Sequence, residues 1–223
     1  MTLGAEPLVR WSWVLGHGSD ILTRLREHVI LTVIAVVIGL LISFPLGVWA
    51  HRRRRLYAPI TWIAGFVYTI PSLALFVLLI PITGLTISTV EVGLVSYTLL
   101  ILIRNVVAGL DGVPEDVKDA ARGMGLTDRQ ILWRVEVPLA LPVIIAGIRV
   151  ATVSTVGLVT VGAFIGIGGL GQFILDGLQT FFNTEILLGA VLSVLVAFAA
   201  EAILLGSQRM LTPWTRAVSA RRT

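Results

Sequence analysis

Three ionisable side chains stand where an otherwise apolar chain offers them little solvation. Arg104, Arg149 and Glu201 each lie inside a long hydrophobic run. A charge at bilayer depth is costly unless it is paired or hydrated. The three fall roughly 6–12 residues from one helix end, or about 9–18 Å at the α-helical rise, so they can share a depth. Two readings follow: a structural charge cluster between helices, or a gate or coupling-ion site. Asn105, next to Arg104, can complete the hydrogen bonding. A second constellation is Tyr68-Thr69-Ile70-Pro71-Ser72. Proline removes a backbone hydrogen bond and kinks a helix, and broken helices at membrane depth line cavities or paths. Tyr68 and Tyr97, with Trp62 and Phe66, present aromatic faces of the kind that attract a quaternary ammonium ion. Tyr68, Thr69, Pro71, Ser72, Tyr97 and Asn105 are therefore candidates for lining a path through the membrane.

Other chemistries find no support. Gly166-Ile167-Gly168-Gly169-Leu170-Gly171 matches the G-x-G-x-x-G string. A dinucleotide site needs that string between a strand and a helix, whereas here an apolar run precedes it, so a close-packed turn is the better reading. Gln172, Asp176 and Gln179 follow it and either face an external partner or belong to a plain connection. No G-x-x-x-x-G-K-[ST] phosphate loop occurs, and Lys118 is the only lysine. Neither H-E-x-x-H nor G-x-S-x-G is present, so no catalytic centre is expected. Cysteine is absent, which excludes disulfides and thiolate metal sites. His17, His28 and His51 are not clustered, and no metal site is expected.

The elements that position these residues are membrane helices. The 223 residues are 56% hydrophobic and 13% charged, where soluble domains carry roughly 25% charge; mean hydropathy is +0.94. The apolar residues come in blocks that predict five spans over 29–50, 58–80, 90–110, 137–165 and 186–206, each near or above the ~20 residues a crossing needs. The fourth is long for one crossing and could contain a re-entrant piece within 137–180. Residues 1–27 show no signal-peptide apolar core and read as an external, interfacial segment with Trp11 and Trp13 at headgroup depth. Residues 28–212 form the membrane domain and 213–223 a basic tail.

Arginine placement gives the expected orientation. His51-Arg52-Arg53-Arg54-Arg55 closes the first span, Lys118, Arg122, Arg129 and Arg134 occupy the 111–137 loop, and Arg209, Arg216, Arg221 and Arg222 lie at the end of the chain. Stretches 81–89 and 166–185 carry no Lys or Arg. The positive-inside rule then predicts an external N-terminus and a cytoplasmic C-terminus, despite Arg10, Arg24 and Arg26 on the outer side. The pI near 10.3 is explained by this topology and by anionic lipid, with no nucleic-acid partner.

The loop DGVPEDVKDAARGMGLTDRQILWRVEVP, 111–138, is the longest polar insertion. Pro114 suits a first helical turn, followed by Glu115, Asp116 and Asp119 at the positive end. Val117, Ala120, Ala121 and Met124 fall on one face. Gly123 and Gly125 are natural stops. Thr127 with Gln130 makes a capping box for a second short helix, and Leu126 with Ile131 a hydrophobic staple. A small-residue apolar face on a loop calls for a covering partner.

Asp119-Ala120-Ala121, Gly125, Val135, Val137 and Pro138 resemble the E-A-A-x3-G-x9-I-x-L-P signature of ABC importer permeases. Asp119, Val135 and Val137 are conservative departures, and the spacing is kept. Tyr68–Ser72, Ile103-Arg104-Asn105, Val137–Pro142, Ala146–Arg149 and Gly168-Gly169-Leu170-Gly171 are similar to the glycine betaine/carnitine/choline/proline subgroup. The resemblance implies an all-α polytopic transmembrane subunit with a cytoplasmic coupling-helix loop. It implies ATPase coupling through Asp119, Ala120, Ala121, Gly125, Val135 and Pro138. The implied partners are a second permease subunit, identical or paralogous, two cytoplasmic ATPases and an extracytoplasmic substrate-binding protein. This chain would carry no cofactor, with ATP and Mg on the ATPases, and would sit in a bacterial cell membrane. A secondary transporter or channel using Glu201 and Arg149, and a permease for another solute such as an amino acid, are the alternatives.

Overall fold

The computed structural model describes residues 8–214. Residues 1–7 and the tail arginines Arg216, Arg221 and Arg222 lie outside the described residues. Ten α-helices follow one another among the described residues: α1 Trp11–Gly16, α2 Gly18–Arg52, α3 Arg54–Thr69, α4 Ser72–Thr83, α5 Ile87–Asp111, α6 Glu115–Gly123, α7 Asp128–Ile131, α8 Val137–Val161, α9 Gly171–Thr180 and α10 Asn183–Leu211. A π-helical turn, Leu132–Glu136, leads into α8, and a 3-10 turn, Gly162–Ile165, leads out of it. No strand occurs among the described residues. The protein is all-α.

Four helical runs are long and apolar enough to cross a membrane: Gly18–Arg52, Ile87–Asp111, Asp128–Ile165 and Asn183–Leu211. Each outruns the span expected from hydropathy. Polar residues with good helix propensity extend the helix beyond the hydrocarbon-length block. Helix α2 passes through 27/28 without a break. The expected second span, 58–80, is interrupted where Tyr68–Ser72 predicts a kink. It is two helices, α3 and α4, bent by 98° at Ile70–Pro71. Pro71 has φ −55° and ψ 134°, and its missing N–H together with the extended ψ ends the helical ladder there. Counted as one broken span, the pair brings the total to five.

The chain divides into two compact units. The first combines residues up to Ala35, Ile70–Leu94 and Ser154–Phe198. Its centre is His28, fully buried, whose Nε2–H donates to the Val156 carbonyl at 3.1 Å while Nδ1 accepts from the Leu170 N–H at 3.3 Å. One imidazole thereby ties α2 to α8 and to the glycine-rich turn. At Gly169, where φ is +50°, a Cβ would sit 2.7 Å from His28 Cβ; at Gly168 it would sit 2.5 Å from Ala163 Cα, and at Gly171 2.5 Å from Thr160 Cα. The glycines are there because other backbone presses against them.

The second unit combines Val36–Thr69, Val95–Val153 and residues from Ala199 on. Ala50, Ala64, Leu100, Ile103 and Val107 form one buried cluster, and Val106, Leu110, Leu132, Ala140 and Ile144 another. Gly47 lies against Val106 and Gly109 against Ala140. Small residues of this kind let membrane helices approach closely.

Candidate functional site

The 111–137 loop is built as two short helices on a braced base. Asp111, at the end of α5, receives His51 Nδ1 at 2.6 Å and Arg54 Nη1 at 2.7 Å. The other His51 nitrogen lies 3.7 Å from the Glu136 carboxylate, and Arg52 Nη2 donates to the Asp128 carbonyl at 3.0 Å. The basic run closing α2 thus grips both ends of the loop.

Helix α6 ends in a Schellman motif. Gly125, with φ +84°, donates its N–H to the Arg122 carbonyl at 2.9 Å, and Leu126 donates to the Ala121 carbonyl at 3.2 Å. These are the two bonds that define the motif. The A-A-x3-G spacing acquires a physical meaning from them: the second alanine supplies the outer acceptor and the glycine the left-handed residue. Thr127 and Gln130 form the expected capping box at α7 in both directions. Along α6, Glu115 takes Lys118 at 2.6 Å and Arg122 at 3.0 Å, while Asp119 takes Arg122 at 2.6 Å. Hydrogen bonds from Lys118 and then Arg122 hold the Glu115 carboxyl below the usual range, and Glu115 and then Asp119 hold the Arg122 guanidinium above it.

The apolar face of α6 is divided. Ala121 is only 2% exposed, covered by its own chain, whereas Met124 is 74% exposed and Val117 and Ala120 are exposed as well. Ala121 therefore belongs to the interior of the loop, and a partner would meet Val117, Ala120 and Met124. Further on, Val135 lies in the π-helical turn and Pro138 in the first turn of α8.

Of the three membrane charges, the structure pairs two. Arg149 Nε lies 3.0 Å and 3.1 Å from the two Glu201 oxygens, and Nη2 also meets Oε1. Arg149 Nη1 donates to Gln208 Oε1 at 2.9 Å, and Gln208 Nε2 donates to the Pro142 carbonyl at 3.2 Å. Arg104 does not join them, which corrects the three-member cluster. It is exposed on α5 and has no ion pair or hydrogen bond among the described residues. Asn105 does not complete that cluster either. Its Nδ2 donates to the Ile101 carbonyl at 2.8 Å, and its side chain packs on Gly147.

At the α3–α4 break, Tyr68 and Tyr97 meet edge to face with ring centres 5.6 Å apart. Tyr68 is 41% exposed and Tyr97 6%. Thr69 and Pro71 are exposed, and Ser72 is partly buried. Trp62 and Phe66 stack on each other at 6.1 Å, apart from the tyrosine pair.

Sequence reasoning gives no weight to Gln208, although it lies seven residues after Glu201 and so on the same helical face. It also passes over Glu91, whose two carboxylate oxygens are buried with no hydrogen-bond partner among the described residues. A lone acid inside an apolar run was the available signal.

Four long apolar helices and a broken pair among the described residues, with a braced two-helix loop, are the architecture of a multi-pass membrane protein. Residues 35–217 match the family described as binding-protein-dependent transport system inner membrane component, and the chain belongs to it. It is 36% identical over 197 residues to the choline transport system permease protein OpuBB of Bacillus subtilis (strain 168), covering 88% of this chain and 91% of that one. It is 37% identical over 206 residues to the osmoprotectant import permease protein OsmW of Salmonella typhimurium (strain LT2), covering 90% and 96%. The carnitine transport permease protein OpuCD of Listeria monocytogenes is 36% identical over 198 residues, covering 88% and 89%. Among solved structures, a chain of the MetNI methionine ABC transporter in an inward-facing conformation superposes with a TM-score of 0.76 at 25% identity, covering 86% of this chain and 96% of that one. The chain is a multi-pass permease subunit of an ABC importer.

Proposed function

We propose that this permease imports quaternary-ammonium compatible solutes, with glycine betaine, choline and carnitine as the leading candidates. The observation that carries the reading is the extended similarity to choline, carnitine and osmoprotectant permeases over about nine-tenths of both chains. The chain would pair with a second permease subunit, identical or paralogous. Two ATPases would complete the assembly, one docking on the exposed Val117–Ala120–Met124 face of this chain's 111–137 loop, with Asp119, Gly125, Val135 and Pro138 holding its shape, and an external binding protein would deliver the solute. ATP and Mg would reside on the ATPases, and no reaction would be catalysed by this chain. Residues 28–212 would form the permease domain in a bacterial cell membrane, flanked by an external 1–27 segment and a cytoplasmic 213–223 tail.

The mechanism is alternating access. Closure of the ATPase pair would move α6 and α7, and the grip of His51, Arg52 and Arg54 on Asp111 and Asp128 would pass that movement to α2, α3 and α5. Pairing of Arg149 with Glu201 and Gln208 speaks against an ion-driven transporter that uses those two charges, because it leaves neither free to carry a coupling ion. The likeness to the methionine transporter supports a second reading, an amino-acid importer.

The test is reconstitution with an ATPase and a binding protein from the same organism. ATP-dependent uptake of glycine betaine, choline or carnitine is expected. Uptake of methionine alone would select the second reading, and uptake driven by an ion gradient without ATP would overturn both. Orientation is checked on the cysteine-free chain. Impermeant reagent should reach Ser88→Cys and Asp176→Cys in intact cells and should not reach Ser207→Cys; the reverse pattern would invert the topology.

A further inference from the structure

Arg104 poses a problem that the other described residues do not solve. It sits seven residues before the end of α5, about 10 Å from that end along the axis. Helical side chains lean back toward the helix N-terminus. The Cα–Cβ bond of Arg104 therefore starts out away from the nearer helix end, and snorkelling to that end works against the backbone geometry. An arginine facing lipid at this depth is strongly disfavoured. Arg149 shows how the chain neutralises such a charge when it is structural: a carboxylate, an amide and a second tie to backbone. Arg104 has no counterpart to any of these among the described residues. The face that bears it must meet something polar.

That face also carries the tyrosines. Tyr97, Ile101, Arg104 and Ala108 follow one another at i, i+4, i+7 and i+11, which is one side of a helix. Tyr97 lies under the exposed ring of Tyr68. Arg104, two turns after Tyr97 on the same side of α5, thus shares a strip with an aromatic pair. The aromatic ring favours a quaternary ammonium. A guanidinium favours a carboxylate, in paired hydrogen bonds. An aromatic face followed by a guanidinium is the complement of a zwitterion that carries both groups.

We propose that Arg104 is a specificity-determining residue of the translocation path, receiving the carboxylate of zwitterionic solutes while Tyr68 offers its face to their ammonium group. The proposal rests on the reading of this chain as a quaternary-amine importer. Choline has an ammonium and no carboxylate, so it gains nothing from Arg104 and is weakly repelled by it.

The test compares solutes within one reconstituted system, so that the choice made by the binding protein cancels in the variant-to-wild-type ratio. Arg104→Gln should lower kcat/KM for glycine betaine and carnitine about tenfold or more, the scale of a lost charge-assisted contact, and change choline uptake less than about twofold. Arg104→Lys should recover much of the zwitterion uptake. Size-exclusion chromatography of the variant complexes checks that they assemble. Equal losses for choline and the zwitterions without rescue by lysine would make Arg104 structural and overturn the inference, as would no loss at all. A wild-type complex that moves choline and no zwitterion would overturn it while leaving the importer reading in place. A wild-type complex that moves none of these solutes would overturn both.

Discussion

Two glycine-bearing turns serve opposite ends. In the 166–171 turn, a methyl group at Gly168, Gly169 or Gly171 would run into Ala163, His28 or Thr160. In the 111–137 loop, a methyl group at Gly123 or Gly125 would meet nothing within 4 Å. The first turn is a knot that holds α2, α8 and α9 together through one buried histidine. The second is a surface shaped by its own backbone, with Ala120 and Met124 facing outward. Glycine at a packed turn records what already touches it. At an open turn, as at Gly125 with φ +84°, it records a required φ.

Breaking the knot is expected to have the largest effect. Gly171→Ala drives a methyl group onto the Thr160 backbone, which cannot rotate away as a side chain could. Overpacking of this kind costs about 1–3 kcal/mol and sometimes more. Most of the membrane-inserted, monodisperse protein should be lost; a normal yield with unchanged thermal stability would contradict the packing account. In the loop, two neighbouring alanines should separate. Ala121→Asp buries a carboxylate inside the loop, at a cost of several kcal/mol, and should unravel α6 by hydrogen exchange. Ala120→Asp should leave that protection intact and still abolish ATP-driven uptake. Identical behaviour of the two would refute the divided face.

Glu201→Gln should lower the thermal midpoint, because Arg149 loses its carboxylate. Adding Arg149→Gln should recover part of the loss, since the stranded charge goes too; additive losses would argue that the two do not depend on each other. The smallest effects belong to the loop glycines and should differ in sign. Gly125→Ala puts a Cβ into the left-handed region and should cost about 1–2 kcal/mol of local stability. Gly123→Ala lies within α6 in open space and should stabilise the helix by about 0.5–1 kcal/mol. Proteolysis of the loop reads both.

Local chemistry was legible in the sequence, and non-local packing was not. Thr127 with Gln130 and the left-handed Gly125 depend on neighbours within a few residues, so the capping box could be read directly and the helix stop narrowed to Gly123 or Gly125, of which the structure uses Gly125. Arg149 and Glu201 could be matched because a charge in an apolar run has few solutions. Arg104 looked like a third member because depth along a helix is visible in sequence and facing direction is not. For the same reason the four apolar-face residues of α6 could not be divided: periodicity places Ala121 with its neighbours and says nothing about which of them the chain itself covers. Pro71 marks where the second span breaks, but its residue type does not specify the 98° bend. The role of His28 depends on Val156 and Leu170, more than a hundred residues away.

The central claim is that the exposed face of α6 docks the ATPase. The chain has no cysteine, so single substitutions report cleanly. Ala120→Cys and Met124→Cys, treated with a short bifunctional thiol reagent in membranes that also contain the ATPase bearing single surface cysteines, should each give a permease–ATPase adduct whose yield changes with ATP. Asp176→Cys on α9 should give none. Adducts from Asp176→Cys with none from Ala120→Cys or Met124→Cys would contradict the assignment.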